Sequence, residues 1–185
     1  MRRKVLVGCS FVFSMPLFFA AVATTTGFML SAEHTVSLSA VLPAERQAVW
    51  DVMTDVDNIS EWNPFVEKSV LLEPVDGKRV WRETDPAGGA ISFREVEADA
   101  PSRWETEVFD ADAPYSAQWV YTLVAEEEGK TRLTIAETGT VGNPFLRFLM
   151  RFIVGNDRFQ RTYFESLAEH FGDEDLLIEL APEAS

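Results

Sequence analysis

Glu137 is the carboxylate in this chain whose neighbours give it chemical interest, because Leu133 and Ile135 precede it on one face of an alternating run. A carboxylate that extends an apolar row needs a cation or holds a proton. Arg82 is the candidate cation. If its strand turns that way, the couple would orient a ligand's polar head or exchange protons with it; if not, both lie in water at the sheet rim. A second polar intrusion is Asn156, which follows Gly155 inside an aromatic helical stripe with Gln160 and Tyr163 close by. These side chains would hydrogen-bond a ligand held between helix and sheet, or Gly155-Asn156 is a kink satisfied by protein or water. Trp104, Trp119, Tyr121, Phe148 and Phe152 offer large apolar surfaces, either as plain core or as cavity walls.

Several other chemistries fail on residue counts. The two histidines are His34, next to the N-terminal apolar run, and His170, at the far end of the last helix. Neither makes a convincing general base for a serine or cysteine nucleophile, and histidine-based metal ligation fails by the same count, leaving only an all-carboxylate site open. Cys9 is the single cysteine, so an intrachain disulfide or cysteine metal cluster is excluded. Gly88-Gly89 belongs to a hairpin turn rather than a phosphate loop. Glu95 with Glu97 and Glu105 with Glu107 have strand spacing and read as solvated faces. No cofactor and no metal are expected. The formal charge is −14, and setting aside Arg2, Arg3 and Lys4 leaves 13 basic against 30 acidic residues, a balance of −17. Such a domain is a poor polyanion binder, so nucleic acid is not expected as a partner.

The elements that must hold these residues can be read from periodicity. Residues 143–172 form an amphipathic pattern, with Phe145, Phe148, Phe152, Phe159, Tyr163 and Phe164 in one broad arc at about 100° per residue. Asn143 as cap, Pro144 at the first turn and Gly172 at the close predict one long helix. Alternation predicts a strand over 34–41, then two short helices over 43–54 and 59–62, the second ended by Asn63-Pro64. Six further strands are predicted at 65–74, 78–84, 90–98, 103–110, 115–125 and 131–140, separated by turns such as Asp76-Gly77 and Glu127-Glu128-Gly129. Alternation turns Trp104, Trp119, Tyr121 and Glu137 inward. Between 78 and 98 it does not decide, because Val80, Arg82 and Thr84 compete with Trp81 and Glu83, and Ile91 and Phe93 compete with Val96. The reading is an α+β domain in which a seven-stranded antiparallel sheet curls around the long helix.

That element order, together with Pro43, the Val49-Trp50 pair, Asp55 and the Trp62-Asn63-Pro64-Phe65 run, resembles the START-like superfamily, in its polyketide cyclase/dehydrase and lipid-transport (SRPBCC) branch. The resemblance covers most of the globular part. It implies a helix-grip fold with a deep, mostly apolar cavity between sheet and C-terminal helix, and ligands such as lipids, sterols, polyketides or quinones. It carries no catalytic set, since members with different activities share few residues.

Residues 1–32 stand apart. Arg2, Arg3 and Lys4 precede a stretch without charge from 5 to 32, the arrangement of an N-terminal anchor helix or a signal peptide cleaved near Ala21-Val22-Ala23. Either way the domain at 33–172 is expected outside the cytoplasm, anchored to the membrane in one case and secreted or periplasmic in the other. Residues 173–185 form an acidic tail in which 176–180 can dock. The expected function is binding or transport of a small hydrophobic ligand, with a cyclase/dehydratase-type enzyme or a non-catalytic envelope interaction module as alternatives. Oligomeric state is left open.

Overall fold

The alternating runs do pair as antiparallel strands in the computed structural model, which describes residues 10–181. The strands are β1 (Glu33–Leu42), β2 (Lys68–Leu71), β3 (Val80–Thr84), β4 (Ala90–Asp99), β5 (Arg103–Val108), β6 (Tyr115–Ala125), β7 (Thr131–Val141) and β8 (Ile178–Leu180). They form one sheet in the order β2-β3-β4-β5-β6-β7-β1-β8. The sheet has eight strands rather than the seven expected. The additional one comes from the acidic tail, whose Ile178 and Leu180 pair with Ala40 and Leu38 of β1. Leu176 and Ile178 also pack on the core, so this short strand covers an edge that would otherwise stay open.

Two short helical segments follow β1 as expected: helix α2 (Arg46–Thr54) and a 3-10 turn at Ile59–Glu61. Upstream lies α1 (Ser10–Phe28), and α3 (Pro144–Leu149) opens the C-terminal helical region. The Asn143 side chain caps α3, accepting from the N–H groups of Phe145 at 2.9 Å and Leu146 at 3.3 Å.

The single long helix does not form. A π-helical turn at Met150–Val154 runs into Gly155, whose φ of 89° and ψ of 132° no right-handed helix contains. Helix α4 (Arg158–His170) then starts afresh. The kink reading of Gly155-Asn156 is the one the chain follows. Only glycine adopts that φ without strain, which is why the break falls there.

Helix α4 lies across the inner face of the sheet and buries Phe164, Leu167 and Ala168 with Leu38, Leu133 and Ile135, while Val49 and Met53 of α2 close the same cluster. The solid core is therefore at the α2 end of the sheet. Helix α1 packs on α3. Ala23 is fully buried, and a Cβ at Gly27 would fall 1.7 Å from the carbonyl oxygen of Pro144, so the two backbones touch. Arg147 ties the junction by donating from Nη1 to the Leu30 carbonyl at 2.8 Å. Among the described residues no helix is long and apolar enough to cross a membrane. The first nine residues of the segment expected to be an anchor or signal lie outside the described residues.

Candidate functional site

Beyond the solid core, sheet and helices separate around a cavity of about 410 Å³, inside the ~300–1,000 Å³ range of small-molecule sites. Its wall follows from register. Trp104 stands opposite Tyr121, Thr106 opposite Trp119, and Trp119 opposite Glu137, so inward residues of β5, β6 and β7 form continuous rows. Across β3 and β4, Trp81 stands opposite Phe93 and Glu83 opposite Ile91, and all four line the same space. The aromatic rings are mutually packed: Trp81 stacks on Phe93 and on Trp104, each at 5.8 Å between centroids. Phe93 reaches Trp119 at 5.9 Å, and Tyr121 meets Tyr163 of α4 at the same distance. Exposed Asp85, Gly89, Pro114 and Phe159 mark the rim, with Leu146 and Met150 beside them.

Parity changes along β4, which explains why alternation could not settle it. Ile91, Phe93 and Glu95 share the inner face, then the register shifts between Glu95 and Glu97, and Ala98 pairs with inward Trp104. The irregularity also bends the strand, as a curling sheet requires. On β3 the inward pair is Trp81 and Glu83, although Val80 is equally buried on the other side.

Each of the three wall indoles donates to a carboxylate. Trp81 Nε1 donates to Glu83 Oε1 at 2.8 Å, Trp104 Nε1 to Glu95 Oε2 at 3.0 Å, and Trp119 Nε1 to Glu137 Oε2 at 3.0 Å. Glu95 is held further by Arg79, whose Nη2 donates to it at 2.6 Å, so it is a buried bridging group rather than part of a solvated face. Glu105 and Glu107 also carry partners, Arg103 and Arg94 respectively. Glu137 accepts from His34 Nε2 at 3.2 Å and from Gln160 Nε2 at 3.2 Å besides the indole. Glu83 has the Trp81 indole alone, and burial pushes its carboxyl above the usual range against the opposing pull of that hydrogen bond.

The polar groups on the helix side are less satisfied. Gln160 is only 3% exposed, and among the described residues neither its Oε1 nor the buried Tyr163 hydroxyl has a hydrogen-bond partner. All three tyrosines of the chain, Tyr115, Tyr121 and Tyr163, line the cavity. Burial, reinforced by the carboxylates Glu137 and Glu83, pushes Tyr115 up to about 12, and the other two phenols are also raised, foremost by burial.

The structure brings together Trp104, Trp119, Tyr121, Glu137, Gln160 and Tyr163 of the residues singled out by sequence, and separates Arg82, Phe148, Phe152 and Asn156 from them. Arg82 faces outward, with its side chain 52% exposed; it donates to Ser92 Oγ at 3.0 Å and approaches Asp110 at 3.8 Å, so the Arg82–Glu137 couple does not exist. Phe148 packs on Phe19 of α1 and on Phe152, and Phe152 itself is 58% exposed. Asn156 lines a separate recess of about 170 Å³ with Leu30, Arg147 and Arg151. These three lie off the cavity because the π turn and Gly155 break the angular phase that a continuous helix would have kept. Sequence reasoning passed over Glu83 and Tyr115. The pointer to Glu83 was Trp81: turning that indole inward to join Trp104 and Trp119 carries Glu83, two residues on, to the same face.

Residues 33–172 match the family model described as polyketide cyclase/dehydrase and lipid transport. No curated protein matches the chain. Solved structures share the fold at low identity. An aromatase/cyclase from a Streptomyces species superposes with a TM-score of 0.64 at 14% identity, covering 76% of this chain and 94% of its own. A START superfamily protein from Mycobacterium smegmatis gives 0.62 at 15% identity, covering 75% and 97%. A protein from Chromobacterium violaceum gives 0.55 at 21% identity, with coverage of 75% and 97%.

Proposed function

Because the chain belongs to the polyketide cyclase/dehydrase and lipid-transport family, we propose that it binds and carries a small hydrophobic molecule in the space between its sheet and α4. One observation carries the reading: an aromatic-walled cavity of about 410 Å³ in which the Tyr163 hydroxyl and Gln160 Oε1 are buried without partners. Buried polar atoms cost free energy unless hydrogen-bonded. A ligand with a complementary head would offset that cost, while Trp104, Trp119 and Tyr121 enclose its apolar body. Glu137 is committed to the His34, Trp119 and Gln160 nitrogens, which suits it to holding the wall together.

The placement of this domain across the membrane is part of the proposal, supported by the basic cluster Arg2, Arg3 and Lys4 before the uncharged stretch of 5–32. Added protease digesting the full chain in intact spheroplasts is the expected result; protection until the cells are lysed contradicts that placement. The binding itself is tested by titrating the purified chain with N-phenyl-1-naphthylamine, a neutral probe that fluoresces in apolar surroundings. Saturable uptake near one per chain, with quenching of tryptophan emission, is the expected outcome. A folded protein that takes up no probe contradicts the carrier reading.

A further inference from the structure

The charged side chains that line the cavity are carboxylates apart from one imidazole, and that limits which charged head group can enter, although the Tyr115, Tyr121, Tyr163 and Thr106 hydroxyls can donate as well as accept. Among the described residues no lysine or arginine lines it, whereas Glu83, Asp85 and Glu137 do. His34, its one basic group, is already bonded to Glu137. The orientation of Gln160 is fixed, because Nε2 donates to two acceptors, the Val36 carbonyl at 3.3 Å and Glu137 Oε2 at 3.2 Å. Turning the amide over would set oxygen against oxygen, so the unpartnered buried atom is the acceptor Oε1. Glu83 is the carboxylate left for a ligand: its one hydrogen bond uses Oε1, and among the described residues no cation pairs with it. Beside it the Trp81 ring is buried and stacks on Trp104 and on Phe93, so the carboxylate is held at the indole N–H edge of a packed aromatic wall.

Resting on the carrier reading above, we infer that the cavity selects a hydrophobic amine, its ammonium taken by Glu83 beside the Trp81 indole, over the corresponding carboxylate. The ammonium supplies the opposite charge that Glu83 lacks and donates to its unused carboxylate oxygen. A fatty acid would bring a further negative charge beside Glu83, Asp85 and Glu137. An alcohol of the same skeleton falls between the two, donating without charge.

The test is competition on the full chain with N-phenyl-1-naphthylamine as the displaced probe, using dodecylamine, dodecanol and dodecanoate at pH 7, each below its critical micelle concentration. The amine is expected to displace the probe at concentrations at least tenfold below those of the alcohol, with the carboxylate weakest. In Glu83→Gln the amine-to-alcohol ratio should collapse toward one, and Glu83→Leu should do the same if the amide perturbs folding. A merely structural role for Glu83 would weaken both competitors together and leave their ratio intact, which overturns the inference. So does a carboxylate that competes as well as the amine. Failure of the neutral probe to bind at all sinks the carrier reading itself, a separate result.

Discussion

Glu83 sits where its charge is costly, and that makes its titration visible in stability. Its folded carboxyl is raised above the usual value by burial, so the folded state holds that proton more tightly than the unfolded chain does. The corresponding stability is fully present below the unfolded value near 4.5 and is lost as pH rises through the raised one. Glu83→Gln, which cannot ionise, should therefore be more stable than the parent at pH 7 to 8 and about equal to it near pH 4. Urea denaturation at both pH values checks this; a loss at neutral pH would mean that a cation already compensates Glu83. The phenols give a second reading of the same interior. Because all three tyrosines line the cavity and Tyr115 is pushed up to about 12, native protein should show no tyrosinate absorbance step near pH 10, where the urea-unfolded chain does. The sign is that of Glu83: the stability is present below 10 and lost as pH rises toward and through the folded values. Glu137 behaves differently, being a hydrogen-bond hub for His34, Trp119 and Gln160. Glu137→Ala leaves those donors unpaired and should cost roughly 2–4 kcal/mol, with Glu137→Gln costing less.

At the scale of elements, Gly155 separates two accounts of the C-terminal region. Were 143–172 one helix, replacing a mid-helix glycine by alanine would stabilise it by roughly 0.5–1 kcal/mol. With φ at +89°, Gly155→Ala should instead destabilise the protein by about 1–3 kcal/mol, measurable by thermal or urea denaturation. The same break marks the boundary of what the sequence disclosed. Strands β5, β6 and β7 alternate cleanly, and Trp104, Trp119, Tyr121 and Glu137 could be placed inward from spacing alone. Strand β3 buries Val80 on one face and Trp81 on the other, so alternation there carries no sign, and the register shift in β4 inverts parity midway. Phe148, Phe152 and Asn156 were drawn toward the cavity by a helical phase that the π turn interrupts. The eighth strand was hidden by its short length and its acidic surroundings, which read as a docking tail more readily than as sheet.

For the molecule as a whole, core and cavity share Trp81, Trp104, Tyr121 and Ile135, which belong to the hydrophobic cluster and line the cavity at once, and it is α2 and the β8 tail that lie apart from the cavity lining. Removing residues 173–185 tests the division: losing β8 and the packing of Leu176 and Ile178 should lower stability by roughly 2 kcal/mol and uncover the β1 edge, while cavity uptake of a neutral probe persists. A carrier's interior is occupied by a small molecule in the cell. Native mass spectrometry of the chain, purified gently from its own host and followed by organic extraction, measures that directly. A bound hydrophobic species near one per chain, which extracts intact and carries a basic nitrogen, is the expected result. Recovery of an empty protein that also refuses every hydrophobic probe would contradict it, and would leave the cavity as unfilled space behind a surface whose role lies elsewhere.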